Sequence, residues 1–349
     1  MLQQKLSIKS WLIACCLMVL LMILLGGITR LSDAGLAIVE WKPVVGVIPP
    51  LNDAQWQDEF IKYQQFPEYQ QRNIQMQLAE FKFIFWLEFI HRLAARLMGL
   101  LYALPLLYLW LNKKIDQKAM LIYFIILILF FMQGFMGWYM VKSGLIVSPH
   151  VSHFRLSAHL VIAVLIYNLL FYQLMQNNFD ILLISCKTRI SNQKFWCLLS
   201  LTVVYLQIIV GGLVAGLGAG LIYNSFPLMG NSFIPEEVTF TVFNIQSFSQ
   251  PVFIQFIHRI GAYIVCISTM CLAISLFKTA HLKLKKVAYS ILSILTLQMA
   301  AGIILILYSR PILIALVHQI FAVILLSYIS WCYFLLKSTE ESKGIKQIC

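Results

Sequence analysis

Two short motifs place a histidine beside an arginine inside apolar stretches, where such side chains would be expected to do chemistry. They are EFIHR at residues 88–92 and QFIHR at residues 255–259. Each half of the chain has a further histidine in an apolar stretch, His159 or His318. Ionisable residues are costly in membrane-spanning stretches, so two matching pairs indicate a duplicated site. Paired imidazoles bind haem iron from both faces, and we therefore predict two bis-histidine haem pockets.

The four histidines are predicted to lie at a common depth. Each falls within about two or three turns of the start of an even-numbered apolar stretch, in the outer third of the membrane. Facing helices of a four-helix bundle are a common location for a cofactor. A single intramembrane histidine serves equally well as a hydrogen-bonding residue between helices, but four at one depth favour ligands. A non-haem metal stays open, although these stretches hold few carboxylates and only Glu88 is near a histidine.

The two halves differ three residues before the first histidine, where Glu88 of the first half corresponds to Gln255 of the second. A spacing of three residues puts this side chain on the same helix face as the histidine. A carboxyl group there can accept a proton or stabilise developing positive charge, so we assign Glu88 as the candidate catalytic residue. The alternative is a buried, neutral, hydrogen-bonded acid.

Four arginines near the predicted outer ends of these stretches are candidates for pairing with haem propionates. A guanidinium group can bind a carboxylate through two parallel hydrogen bonds, which suits it to this task. The candidates are Arg30, Arg92, Arg96 and Arg259.

The composition places the chain in a membrane. It is 60% hydrophobic and 11% charged, whereas soluble domains carry about 25% charged residues. Stretches of about 20 apolar residues can cross the hydrocarbon core as helices, and we therefore predict an all-α integral membrane protein. No small-residue cleavage site follows the first stretch, which we keep as a retained helix. The eight stretches lie near residues 11–29, 84–110, 119–141, 154–175, 195–215, 252–277, 284–308 and 312–336.

The eight stretches are predicted to form a tandem repeat of two four-helix bundles. Gly26 and Gly211 are 185 residues apart, and His91 and His258 are 167 apart. A separation that falls along the chain is what shorter loops in the second copy produce. Four crossings return the chain to its starting side, so a pseudo-two-fold axis along the membrane normal should relate the copies. The predicted bundles cover residues 1–176 and 177–349.

The positive charges indicate sidedness. Of the 26 Lys and Arg residues, 15 lie in the termini and in the loops after the second, fourth and sixth stretches, against eight in the alternate loops. Cytoplasmic loops carry such an excess, so both termini are predicted to be cytoplasmic. The net charge of +12 therefore reflects the orientation of the helices in a lipid membrane, and no nucleic-acid partner is expected.

The first outer loop, roughly residues 30–83, is too long for a tight connection. Asp53 to Phe66 is predicted to form an amphipathic helix over the outer face, where a lid without chemistry is as good an explanation as a catalytic role. No cysteine falls in a predicted outer loop, which excludes an outer-face disulfide under this topology.

At this point the chain resembles the haem A synthases over almost its whole length. The motifs that carry the resemblance are GGITRLSDAGLAIVEW (26–41), QFPEY (65–69), EFKFIFWLEFIHRLAARLMG (80–99), QGFMGWYMVKSGL (133–145), VSHFRLSAHL (151–160), QFIHR (255–259) and ALVHQ (315–319). Some bacterial members carry a cysteine pair in the first outer loop. This chain lacks that pair and so resembles the branch shared by mitochondria and related bacteria.

The resemblance implies oxidation of the C8 methyl group of haem O to the formyl group of haem A by successive hydroxylations. It implies a substrate haem pocket at His91 and His159, and a resident haem b bound by His258 and His318. A bacterial inner membrane location, supply by a haem O synthase, an unidentified electron donor and a homo-oligomer are further expectations. The sequence leaves the donor, the oxygen source and the order of the oxidations open.

Two other classes of protein stay open. A dihaem b-type cytochrome that only passes electrons would use the same histidines but would not need the difference between Glu88 and Gln255. A haem transporter or assembly factor would need a path through the bundle, and no discontinuous helix is evident in the sequence. Analysis of the haem made from supplied haem O discriminates among these classes.

Overall fold

The structure is a computed structural model that describes residues 2–41, 46–145, 149–178, 191–238 and 245–348. Cys186, Lys187, Arg189 and Cys349, which the sequence places on the cytoplasmic side, lie outside these ranges. The α-helices in the described ranges are α1 (Leu2–Leu31), α2 (Asp53–Gln64), α3 (Pro67–Arg72), α4 (Leu78–Leu111), α5 (Gln117–Gly144), α6 (His153–Asn178), α7 (Ser191–Leu217), α8 (Pro251–Phe277), α9 (Leu282–Leu307) and α10 (Ile312–Ile348).

Eight of these helices, α1 and α4 to α10, are long and apolar enough to cross a membrane. They coincide with the eight apolar stretches of the sequence, so the prediction of an all-α, multi-pass membrane protein is confirmed. The tandem-repeat relationship between the two bundles stays a prediction.

Helix α4 begins at Leu78, six residues before the predicted stretch. Its start is a capping box in which the Gln77 backbone N–H donates to the Glu80 carboxylate at 2.8 Å. A helix begins where its first N–H groups are capped, and not where the sequence becomes apolar. His91 therefore lies about 20 Å along α4. The prediction that each histidine lies within two or three turns of a helix start is wrong for His91.

The chain forms two compact units, one of residues 14–167 and the other of residues 1–13 with 168–349. We call them the N-terminal unit and the C-terminal unit. The assignment of separate roles to residues 1–176 and 177–349 stays a prediction.

In the C-terminal unit, α7 packs on α8, α8 on α9, α9 on α10 and α10 on α7, which closes a ring of four helices. Buried polar contacts join neighbouring members. The Gln193 amide donates to the Ser275 carbonyl at 3.2 Å, and the Cys197 thiol donates to the Ile329 carbonyl at 3.4 Å. The ring is the scaffold that positions His258 on α8 and His318 on α10.

In the N-terminal unit, the described residues between α1 and α4, 32–41 and 46–77, share a small hydrophobic core with α4. The predicted amphipathic helix is confirmed as α2. It starts at an Asn52 cap, whose side chain accepts from the Gln55 N–H at 2.9 Å. Its buried face, Trp56, Phe60 and Tyr63, packs on aromatic residues of the first turns of α4. We call residues 32–77 the first connecting segment.

The corresponding part of the C-terminal unit, residues 218–250, contains two short 3-10 helices at Ala219–Leu221 and Ile245–Ser249. We call it the second connecting segment. Its buried residues Met229 and Val238 pack with Leu213 of α7 and with the first residues of α8. Each connecting segment is therefore attached by apolar contacts to the helix that carries a histidine-arginine pair.

Candidate functional site

His91 and His258 each pack against a glycine of the helix that begins their half of the chain. A Cβ atom added to Gly26 of α1 would lie 3.3 Å from Cε1 of His91, and one added to Gly211 of α7 would lie 3.3 Å from Cε1 of His258. Such a distance is tighter than an ordinary van der Waals contact. Glycine therefore lets each helix approach an imidazole closely enough to limit how the ring can rotate.

His159 and His318 have the same kind of neighbour. A Cβ atom on Gly137 of α5 would lie 3.2 Å from Cε1 of His159, and one on Gly302 of α9 would lie 3.0 Å from Cε1 of His318. All four histidines thus have a glycine against the same ring atom. The sequence analysis noted the glycine pairs but did not connect any of them with a histidine.

Two glutamines that the sequence suggested only as residues for packing between helices contact the second histidine of each pair. The amide nitrogen of Gln133 lies 3.3 Å from Nε2 of His159, and that of Gln298 lies 3.3 Å from Nε2 of His318. Nδ1 of His318 also lies 3.2 Å from the backbone oxygen of Gln298. A proton on Nδ1 would be donated to this oxygen, which leaves Nε2 as the bare nitrogen that can bind a metal.

The four imidazoles fit a haem held from both faces in each unit. His91 interacts electrostatically with His159, and His258 with His318, so each pair is close in space. Each of the four side chains is partly exposed, although each lies on an apolar helix. A porphyrin would cover this exposed part. Iron would replace the glutamine amide at Nε2 of His159 and His318, so that contact must be given up on binding.

Glu88 and Arg92 hold part of the first connecting segment against α4. Nε and Nη2 of Arg92 donate to Oε1 of Glu88 at 3.0 and 2.6 Å, and the Glu88 side chain is 3% exposed. Arg92 also donates to the carbonyls of Ile38 at 2.7 Å and Glu40 at 3.2 Å. The Ile38 N–H in turn donates to Oε2 of Glu88 at 2.8 Å. We call these contacts the first latch.

Gln255 and Arg259 form the matching second latch in the C-terminal unit. The Tyr223 N–H donates to Oε1 of Gln255 at 3.2 Å, and the Gln255 amide donates to the Tyr223 carbonyl at 2.9 Å. Arg259 donates to the carbonyls of Tyr223 at 2.9 Å, Ser225 at 2.8 Å and Leu228 at 3.2 Å. Both latches therefore join an arginine, one turn after the Glu or Gln, to carbonyls of a connecting segment.

The latches change how three of the predicted site residues, Arg92, Arg259 and Glu88, are understood. Arg92 and Arg259 were assigned to haem propionates, but their guanidinium groups are engaged with connecting-segment oxygens. Pairing with a propionate would require those contacts to be exchanged. Glu88 accepts two hydrogen bonds from Arg92, and both its catalytic role and the alternative of a neutral, hydrogen-bonded acid stay predictions. Gln255 likewise accepts a backbone N–H of its connecting segment, but it also donates to the Tyr223 carbonyl, whereas Glu88 accepts from the arginine one turn later.

Arg30 and Arg96 are placed differently from the latch arginines. Arg30 ends α1, one turn after Gly26, and its guanidinium donates to Asp33 at 3.0 Å with both side chains partly exposed. Arg96 lies on α4, one turn after Arg92 and partly exposed. Of the four predicted propionate partners, these two have the more accessible positions.

A second carboxyl group of the N-terminal unit, Glu68, lies close to Glu88. It is 3% exposed and accepts from the Tyr63 hydroxyl at 3.1 Å, which in turn accepts from the Asn73 amide at 2.8 Å. Burial raises the pKa of Glu68 to about 7, the Tyr63 hydrogen bond lowers this pKa, and the nearby Glu88 carboxylate raises it. The sequence analysis missed Glu68, for which only its place in the QFPEY motif was a signal.

These features define the class of the protein: a multi-pass membrane protein with two histidine pairs, in which each of the four paired histidines packs on a glycine. Residues 9–330 match the COX15-CtaA family, described as cytochrome oxidase assembly protein. Proteins named heme A synthase from Rickettsia felis and Rickettsia akari are 53% and 54% identical to the chain over 336 residues, which is 96% of this chain and 100% of each relative. The chain belongs to this family.

Proposed function

We propose that this protein is a haem A synthase, a membrane oxidoreductase that converts the C8 methyl group of haem O to a formyl group by successive hydroxylations. The observation that carries the proposal is the similarity of about 53% identity, over nearly the whole chain, to proteins of that name. The product is a haem for cytochrome oxidase, in keeping with the description of the family.

The two histidine pairs take different roles in this proposal. His91 and His159 hold the substrate haem O, and His258 and His318 hold a resident haem b. A bound haem would supply an iron centre that can accept and donate single electrons. The glycine contacts restrict the four imidazoles, and the latches hold the connecting segments to α4 and α8.

Glu88 is the proposed catalytic residue because it gives the first unit a negative charge where the second has a neutral amide. Oxidation of a methyl group releases protons from its carbon, and a fixed carboxylate can accept a proton or stabilise positive charge. Arg92 and the Ile38 N–H fix this carboxylate at its two oxygens. Arg30 and Arg96 are the proposed partners of the haem propionates.

The proposed location is the bacterial inner membrane, with both termini in the cytoplasm. The excess of Lys and Arg in alternate loops supports this orientation. A haem O synthase would supply the substrate and an electron carrier would exchange electrons with the protein.

The proposal is tested by expressing the protein together with a source of haem O and extracting the haem from the purified protein. Pyridine haemochrome spectra and chromatography then identify each haem. Haem A in the wild-type protein, and its loss in His91→Ala, is the expected result. Stable haem b without any haem A would reject the synthase and favour an electron-passing cytochrome.

The assignment of the second pocket has a separate test. His258→Ala and His318→Ala should each abolish the bis-histidine optical and magnetic spectra of the resident haem. His281→Ala is a matched control, because His281 lies at the start of α9 and outside both pairs. Unchanged spectra in both pocket variants would remove the assignment.

A further inference from the structure

Among the residues that the structure describes, only Glu68 and Glu88 have a buried carboxyl group, and both belong to the N-terminal unit. Each is 3% exposed, whereas the other described Asp and Glu residues are at least partly exposed. The proposed function gives a task to Glu88 alone. Burying a second carboxyl group is costly, so the place of Glu68 beside the first requires an explanation.

Glu68 and Glu88 border one hydrophobic cluster from two sides. The Tyr63 hydroxyl donates to Glu68 at 3.1 Å, and Tyr63 lies in the same buried cluster as Ala37. Ala37 precedes Ile38, whose N–H donates to Glu88 at 2.8 Å. The two carboxyl groups interact electrostatically without a direct hydrogen bond between them. One water between them would therefore complete a path for a proton.

The opposite side of Glu68 faces an exposed ion pair. Arg72, one turn later on α3, and Asp33, which follows α1, both interact electrostatically with Glu68. Nη2 of Arg72 lies 3.4 Å from Oδ2 of Asp33, and these side chains are 38% and 43% exposed. With the Tyr63 hydroxyl of α2 and Glu88 of α4, they are the charged or titratable groups that face Glu68. Glu68 therefore lies between a buried carboxyl group and the predicted outer surface.

The C-terminal unit repeats the contact between a tyrosine and a glutamate, but at the surface. The Tyr223 hydroxyl donates to Glu237 at 2.9 Å, and the Tyr223 backbone bonds Gln255 of the second latch. Glu237 is exposed, and the amide of Gln255 does not titrate. In the described part of the chain, two neighbouring buried carboxyl groups thus occur only in the unit that is proposed to oxidise a methyl group.

We propose that Glu68 is a proton-relay residue that connects Glu88 with water at the outer surface. A proton that methyl oxidation releases to Glu88 passes to the Glu68 carboxylate, which restores the carboxylate of Glu88. Glu68 then releases the proton to water beside Asp33 and Arg72. Each transfer breaks one O–H bond and forms another, and no electron moves. This inference rests on the proposed function, and in particular on Glu88 as the proton acceptor.

The relay predicts the pH profile of haem A formation by full-length protein supplied with haem O. Burial raises the pKa of Glu68 to about 7, and only its carboxylate can accept a proton, so the wild-type rate should rise with pH through about 7. Glu68→Gln should be about 10- to 100-fold slower and lose this rise, because water replaces a positioned proton acceptor only in part. Glu237→Gln is the matched control, since Glu237 also accepts a tyrosine hydroxyl but is exposed, and it should behave like the wild type.

A small carboxylic acid should replace the missing group. Glu68→Ala leaves space that formate can enter, whereas the isosteric side chain of Glu68→Gln fills it, so added formate should restore part of the rate only in Glu68→Ala. A wild-type rate and pH profile in Glu68→Gln would overturn the proposal. A slow Glu68→Ala that formate does not restore would also overturn it, since only a structural role would then remain.

Tyr63→Phe tests the relay in a protein that keeps Glu68. Burial raises the pKa of Glu68 and the Tyr63 hydrogen bond lowers it. Loss of this hydrogen bond to the carboxylate should therefore move the rise in rate to higher pH. A profile that stays at the wild-type position would contradict the relay.

Infrared spectroscopy tests the coupling of the two carboxyl groups without haem O. The carboxyl stretching band of protonated Glu68, identified by its loss in Glu68→Gln, should titrate near pH 7 in the wild type. Burial raises the pKa of Glu68 and the Glu88 charge raises it further, so the midpoint should fall in Glu88→Gln and stay unchanged in Glu237→Gln. An unchanged midpoint in Glu88→Gln would reject the coupling and with it the relay.

Failure of the relay is distinguishable from failure of the proposed function. Wild-type protein that makes no haem A would reject the proposed function and remove the source of the proton, whatever the infrared titration shows. Haem A formation at the wild-type rate in Glu68→Gln would reject the relay alone.

Discussion

Replacing Glu88 by glutamine should abolish or stall haem A formation while leaving the fold and the resident haem b intact. The second latch shows why the fold should survive, since Gln255 accepts the Tyr223 N–H at 3.2 Å beside Arg259. In Glu88→Gln, the new amide oxygen can still accept the Ile38 N–H. Arg92 can keep its bonds to the carbonyls of the first connecting segment.

The magnitude follows from what the substitution removes. One amide oxygen replaces two carboxylate oxygens, so the Arg92 guanidinium, which donates to Glu88 at 2.6 Å, loses its acceptor and faces the new amide nitrogen. An unmet donor in this buried position should cost about 1–3 kcal/mol of stability. Removing a positioned proton acceptor should lower the rate of haem A formation by about 10² to 10⁴. The loss of rate should therefore exceed what partial unfolding could explain.

The assay compares the rate of haem A formation in wild type, Glu88→Gln and Gln255→Glu, with haem b content matched. Gln255→Glu is the reciprocal control, because it adds a charge to the second latch and should leave methyl oxidation nearly unchanged. Hydrogen exchange of residues 37–40 reports whether the first latch remains closed. Haem A formation at nearly the wild-type rate in Glu88→Gln would refute the catalytic role. A slow variant with an open latch would assign Glu88 to positioning.

The other predictions concern packing, pH and topology. Gly137→Ala should disturb His159 and lower haem A formation, whereas Gly134→Ala, on the same helix with open space at its Cβ, should not; equal activities would contradict the glycine contact. Burial raises the pKa of Glu68 to about 7, so the folded state favours the protonated carboxyl group. The contribution of Glu68 to the stability of α2 and α3 is therefore complete below pH about 4.5 and is lost as the pH rises through 7. The loss is at most about 1.4 kcal/mol per pH unit. Hydrogen exchange of this region, corrected for intrinsic rates, should show that dependence, and Glu68→Gln should remove it. A reporter fused at Lys114 should report cytoplasm and one fused within residues 50–80 the opposite side; the reverse pattern would break the topology.

The spanning helices were predictable because membrane helices are marked by length and apolarity, both of which are read directly from a sequence. The histidines were equally visible, since an ionisable side chain stands out in an apolar stretch. What could not be predicted was the partner of each side chain. Gly26 and His91 are 65 residues apart, and only the packing of α1 on α4 brings them into contact.

The latches escaped sequence analysis for a different reason. The partners of Arg92 are largely backbone carbonyls, and every residue has one, so no residue type signals their position. The sequence did offer one competing acceptor for Arg92, since Glu88 lies four residues earlier on the same helix, but the assignment to a propionate passed over it. Likewise the start of α4 was misplaced because a polar capping box, and not apolarity, determines where it begins.

Because α4 begins early, at Leu78, the contacts of the first connecting segment and His91 lie on one continuous helix. Aromatic residues of α2 contact α4 at Phe81 and Phe85, about 15 and 9 Å before His91 along the helix, and the first latch contacts α4 within one turn of the imidazole. A helix of this length bends only gently. A displacement of α2 would therefore be transmitted along α4 and change the orientation of the His91 ring. No comparable length of helix precedes His258, since α8 begins at Pro251, only two turns before that histidine.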